Sequence, residues 1–288
     1  VDRGYAHPLY SKRILDEEYA NYGLSRQLDQ APRWLKRFDH WRRETEDALE
    51  EFERANYVFV PSDFCYQSFV QEGYPPEKLV MIPRGFDPSQ FYRHDVTNQA
   101  PVQHPFRAIF LGLLTVRKGL KYLLEAWQAL ALPQAELLLV GTLHEELQPL
   151  LQPYLNHSSL TIRHIDFTPN PAELLRNADV FVFPSLDEGS AKVTYEAMAC
   201  GLPVITTANS GSLVRDGQDG YIVPIRSRNA LMEKLEYYYQ HRDVCEQMGK
   251  TAQAYISQFT WDRYETTLIE HYQALFTKKI TEKTSPIA

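Results

Sequence analysis

Between residues 106 and 206 the chain alternates short apolar runs with helix-period stretches, and that alternation admits few folds. The runs at 106–111, 136–140, 160–165, 180–183 and 204–206 are rich in Val, Ile, Leu and Phe, as strands covered on both faces must be. The 118–130 stretch has amphipathic helical spacing, and a second helix is predicted over 193–200. Strands joined by helices form a parallel sheet through right-handed crossovers, so the chain reads as α/β with a doubly wound sheet. Such sheets hold ligands beyond the carboxyl ends of their strands, in the loops that follow these runs.

Two of those loops carry chemistry. In VFVFPSLDEGSAKVTYEAMACGLPVITT, Pro184 ends the strand, and Glu188 and Glu196 follow with seven residues between them. An ionised carboxylate only accepts hydrogen bonds, which suits the paired donors of a vicinal diol. A nucleotide sugar has such diols on both sides of a diphosphate. Gly189, Ser190 and Ala191 leave the backbone uncovered there, and the next helix offers its positive end to the anion. In FLGLLTVRKGL, Gly112 closes a strand, and Arg117 and Lys118 stand at a helix start, where the dipole disfavours cations. A departing diphosphate gathers negative charge, and fixed cations stabilise it most in the transition state. The plainer alternatives are two surface glutamates and a solvated basic pair.

The run EGSAKVTYEAMACGLPVI, with PSLDEG leading into it, resembles the signature of the retaining family 4 glycosyltransferases, the glycosyl transferases group 1. The resemblance implies a GT-B fold, two Rossmann-like doubly wound domains facing a cleft. It implies that Glu188 contacts the transferred sugar and Glu196 the ribose, with Gly112, Arg117, Lys118, Gly189, Ser190 and Ala191 completing the donor site. Members often carry an arginine directly after the loop glycine, where this chain has Leu113, so Arg117 is expected to supply the second charge beside Lys118. His7, in DRGYAHP, is similar to a first-lobe histidine placed near the reacting sugar; an ordinary loop histidine is the alternative. The stretch from ANYVFVPS to EGYPPEKLVMIPRGFD resembles the end of the family's first lobe, and nothing before it supplies that lobe's glycine-rich turn. The N-terminal domain is therefore expected to be incomplete. Residues 1–95 are assigned to it, 96–258 to the donor domain, and 259–288 to a helix that packs back on the first lobe plus a tail. A linker is expected within 86–105.

The resulting expectation is a retaining glycosyltransferase that moves a sugar from a nucleoside-diphosphate sugar to a hydroxyl acceptor, with the departing phosphate oxygen assisting attack on the same face. No metal is expected, because Lys118, Arg117 and helix N-termini carry the charge and no Asp-x-Asp pair stands in a donor loop. Two alternatives stay open: a noncatalytic nucleotide-sugar-binding or partner subunit, motivated by Leu113 and the short first lobe, or another GT-B enzyme such as a sugar-nucleotide epimerase or a phosphorylase. A net charge of −7 disfavours nucleic acid as a partner. Cys65, Cys200 and Cys245 suggest neither a disulfide framework nor a zinc site, and HExxH is absent. Lacking a long apolar run or a leader pattern, the chain reads as cytoplasmic. Trp34, Phe38 and Trp41, surrounded by Arg and Lys, allow peripheral contact with the inner membrane surface, against core packing as the alternative. Asn209 to Ser212 follow the 204–206 strand and either line the sugar pocket or form a plain turn.

Overall fold

In the computed structural model, residues 4–23, 38–93, 104–157 and 160–284 are described. The first part comprises α1 (Pro8–Asn21), α2 (Phe38–Arg54), β1 (Val58–Val60), α3 (Asp63–Gln71) and β2 (Leu79–Met81). β1 and β2 pair in parallel through the α3 crossover, and Ser62 caps α3 by accepting from the Cys65 N–H at 3.2 Å. A small core of Phe52, Val58, Val60, Phe64 and Phe69 holds these elements together.

The second part runs through β3 (Phe106–Leu111), α4 (Leu120–Leu130), β4 (Ala135–Val140), α5 (Gln148–Leu155), β5 (Ile162–Ile165), α6 (Pro171–Arg176), β6 (Val180–Phe183), α7 (Lys192–Ala199), β7 (Val204–Thr207), β8 (Gly220–Val223), α8 (Arg228–Gln240) and α9 (Arg242–Ile256). Its six strands are all parallel, in the order β5-β4-β3-β6-β7-β8. The chain builds outward from β3 in one direction and, from β6, in the other. β3 and β6 therefore flank the topological switch point, where loops diverge and leave a crevice. Buried Phe110, Phe181 and Phe183 stack beneath it, with centroids 5.4 and 5.9 Å apart.

α10 (Trp261–Thr284) returns to the first part. Its Tyr272 ring lies 5.0 Å from Phe59 of β1, and the Phe86 N–H donates to Phe259 O at 3.1 Å just before it. Phe86 and Phe91 are buried in the second lobe's core, so packed structure reaches into the stretch read as linker.

Two features depart from the sequence reading. α1, assigned to the first lobe, packs Ile14, Tyr19 and Tyr22 against the second lobe's core. Its Glu18, with no exposed surface, accepts from Arg226 Nε at 2.6 Å and Tyr122 OH at 3.1 Å. The helix read over 118–130 begins only at Leu120, after a 3-10 turn over Val116–Lys118 and a left-handed Gly119 with φ +68°. A Cβ on Gly119 would lie 2.1 Å from Pro184 O, so this glycine lets the two switch-point loops touch. Backbone strain and overpacking together are expected to cost Gly119→Ala about 2–5 kcal/mol in urea unfolding. A loss under about 1 kcal/mol would show that the loops part easily. No helix among the described residues is long and apolar enough to cross a membrane.

Candidate active site

Both switch-point loops deliver charge to one point. Lys118 Nζ donates to Glu188 Oε1, Arg117 approaches the same oxygen at 3.0 Å, and Ser185 Oγ donates to it at 3.1 Å. Glu188 and Lys118 keep only 9% and 11% of their side-chain surface, so their charges face each other out of bulk water. Burial pushes the Lys118 ammonium below its ordinary pKa, with Glu188 pulling it back up and Arg117 adding to the depression. Arg117 also donates to Asp187 O at 2.6 Å, fastening the loop on the β6 side. Cations on one loop and a carboxylate on the other thus span the crevice.

The loop after β7 braces this arrangement. The Glu188 N–H donates to Asn209 O at 2.9 Å and the Ala191 N–H to Ser210 O at 2.9 Å, while Asn209 Nδ2 returns a bond to Leu186 O at 2.8 Å. Asn209 and Ser210 are thus neither a plain turn nor free lining; they hold the reaction loop's backbone. Ser190 Oγ pairs with Tyr195 OH at 2.9 Å. No side chain caps α7 at Ala191, so its positive end is not neutralised from within. Glu196, one turn into α7, is half-buried. Burial raises its pKa, opposed by Lys192 four residues earlier. Among the described residues no side chain hydrogen-bonds its carboxylate.

Gly189 corrects one expectation. Its backbone is not uncovered: a Cβ there would lie 1.5 Å from Gly4 O, and its carbonyl accepts from Ser62 Oγ at 2.6 Å and Cys65 Sγ at 3.2 Å. The glycine serves close approach of the first lobe. Gly112 ends β3 with φ +145° and its N–H on Val140 O. His7 is not brought to the carboxylate. Its ring lies against Phe69 and Phe52, with centroids 5.0 and 5.9 Å away, and Nδ1 is buried without a partner among the described residues. Burial lowers its pKa. An imidazole packs there because α1 begins at Pro8 and anchors the His7 N–H on Ser68 Oγ at 2.8 Å. Leu113, in the position of the absent arginine, is half exposed. Trp34 lies outside the described residues, as do the side chains of Phe38 and Trp41.

Sequence reasoning missed Ser11 of α1, whose hydroxyl donates to Asp187 Oδ1 at 3.0 Å. Nothing local marks it. Asp187 stood inside the motif but had no assigned task.

Residues 105–241 match the family of glycosyl transferases group 1. The second lobe is a group 1 glycosyltransferase domain. A colanic acid biosynthesis glycosyltransferase by provisional name, WcaL of Salmonella typhimurium, is 28% identical over 227 residues, covering 74% of this chain and 55% of WcaL. The chain spans about half the length of the curated relatives it matches. Sucrose-phosphate synthase from Thermosynechococcus elongatus superposes with a TM-score of 0.68 at 24% identity, over 90% of this chain and 65% of that one. Anabaena HepE in complex with UDP gives 0.67 at 22% identity, over 76% and 64%. These likenesses establish the GT-B fold. Within it, the group 1 glycosyltransferase domain contributes Lys118, Arg117, Glu188 and Glu196, the first lobe contributes Ser62 and Cys65 along the facing wall, and α1, docked on the donor lobe, contributes Ser11.

Proposed function

We propose that the protein transfers a sugar from a nucleoside-diphosphate sugar to a hydroxyl acceptor, with retention at the anomeric carbon. The observation that carries this reading is the meeting of Arg117 and Lys118 with Glu188 across the switch point. A diphosphate entering there replaces Glu188 as the cations' partner, and the freed carboxylate turns its oxygens to the sugar hydroxyls. The α7 N-terminus adds its dipole to the same anion. Glu196 then takes the ribose diol. As the glycosidic bond breaks, charge grows on the departing phosphate oxygen beside Lys118 and Arg117, so these cations bind the transition state more tightly than the ground state. In this reading two side-chain cations carry the charge that a divalent ion carries in other transferases. HepE has been solved with UDP and with UDP-glucose, and WcaL's name places it in colanic acid biosynthesis; both support a nucleotide-sugar donor and a glycan-building role. The same reading places the reaction in the cytoplasm.

Calorimetric titration with UDP-glucose, UDP-N-acetylglucosamine and GDP-mannose tests the donor site. One of them should bind saturably, and Glu196→Ala should weaken it about tenfold, the worth of one hydrogen bond to a charged group. Because burial raises the Glu196 pKa, affinity should begin to fall with acidification at a pH above the ordinary glutamate range. Affinity indifferent to Glu196→Ala would remove the ribose assignment.

A further inference from the structure

Asp187 stands beside Glu188 and is equally buried, yet nothing in the donor site accounts for it. Ser11 Oγ of α1 donates to its Oδ1 at 3.0 Å, and among the described residues no donor reaches Oδ2. The carboxylate lines a cavity of about 700 Å³ between the lobes, walled by Tyr5, Pro8, Ala48 and Phe52 of the first part, with Arg117 beside it. A carboxylate nine-tenths buried, given one hydroxyl donor and with its second oxygen open only to this cavity, keeps most of its acceptor capacity for whatever enters there. Burial raises its pKa, Glu188 adds to the rise, and the Ser11 hydrogen bond with Arg117 and Lys118 opposes it.

Resting on the function proposed above, we infer that the open oxygen of Asp187 receives the acceptor's hydroxyl, while Ser11 of α1 fixes the carboxylate's orientation. The chemistry of the acceptor follows. An acceptor-only group takes a neutral hydroxyl donor and repels a phosphate or carboxylate at that point, so the acceptor presents a neutral, polyhydroxylated end such as a sugar ring. Tyr5, 68% exposed, offers an aromatic face to such a ring at the cavity wall. Ser11 comes from α1, which docks on the donor lobe, so the hydroxyl site is complete only while α1 is seated there. Water, with no carbon framework or second hydroxyl to hold it in the cavity, uses this site less well than a polyol does.

The test is the partition of sugar between glycerol and water, with the best-bound of the three donors as probe and both products quantified. Asp187→Asn should lower the glycerol-to-water ratio at least about tenfold and Ser11→Ala about threefold, while the calorimetric Kd for the donor stays within about twofold. An unchanged ratio in Asp187→Asn overturns the inference and leaves the proposed function standing. So does a parallel loss of ratio, donor affinity and Tm, the pattern of a merely structural hydrogen bond. A wild-type protein that transfers or hydrolyses none of the three donors overturns the proposed function, and this inference with it.

Discussion

Lys118→Ala is expected to slow sugar transfer about a hundredfold to a thousandfold, the range found when one preorganised partner of a developing anion is removed. The same substitution leaves Glu188 buried with less compensation, which for an isolated pair costs about 3–5 kcal/mol of stability. Arg117 remains 3.0 Å from that carboxylate, so the stability loss should fall at or below the lower end. The two effects separate in the double variant Lys118→Met with Glu188→Gln. Removing both charges should return most of the urea stability, because neither Lys118 nor Glu188 leaves a buried charge behind and Arg117 keeps its bond to Asp187 O. Transfer should stay lost. Recovery of transfer together with stability in the double variant would mean that the pair is a strut between two loops of the donor lobe and not part of the chemistry.

Arg226→Ala should be among the most destabilising single changes in the chain. Its guanidinium donates to Glu18 at 2.6 Å, to Glu17 at 2.8 Å and to Ile14 O at 2.8 Å, which ties the strand-to-helix turn before α8 to α1. Glu18 has no exposed surface, so losing its partner strands a charge away from water at a cost of about 3–5 kcal/mol. For a chain of this size that lowers Tm by roughly 6–20 °C. Arg226 also sits at φ +60°, which costs a non-glycine residue about 1 kcal/mol. Arg226→Gly should therefore be more stable than Arg226→Ala by about that amount, although neither recovers the ion pair. Equal melting temperatures for the two variants would refute the strain, and an alanine variant within about 1 kcal/mol of wild type would refute the buried pair.

The donor half of this molecule is legible in the sequence because its signals are local. The runs that make β3, β4, β6 and β7 are short and mostly apolar, the first three are followed by glycine or proline, and the loops that meet at the switch point directly follow two of them. What escaped has a common physical cause. α5 carries Pro149 and Pro153, and α6 opens on Pro171 and spans six residues, so neither presents a helical period long enough to see. Glu18 lies in the run Asp16-Glu17-Glu18, which reads as solvated charge; only the fold brings Arg226 and Tyr122 to it. His7 was read from a family context that fixes its loop, while its ring direction is decided by Phe52 and Phe69, far along the chain. Ser11 and Asp187 are separated by 176 residues, and no pattern in either segment announces the other.

α1 has a consequence for engineering. Modular exchange of acceptor lobes between transferases assumes that each half carries its own surface to the seam. Here a helix encoded before the first lobe's strands packs Ile14, Tyr19 and the following Tyr22 against the donor lobe's core and lends Glu18 to Arg226. A chimera cut at the linker would strip the donor half of that cover and graft a foreign helix onto an unmatched socket. A productive exchange must carry α1 with the donor half, or transplant Tyr122, Arg226 and Glu146, which accepts from Tyr19 OH at 2.8 Å, along with it.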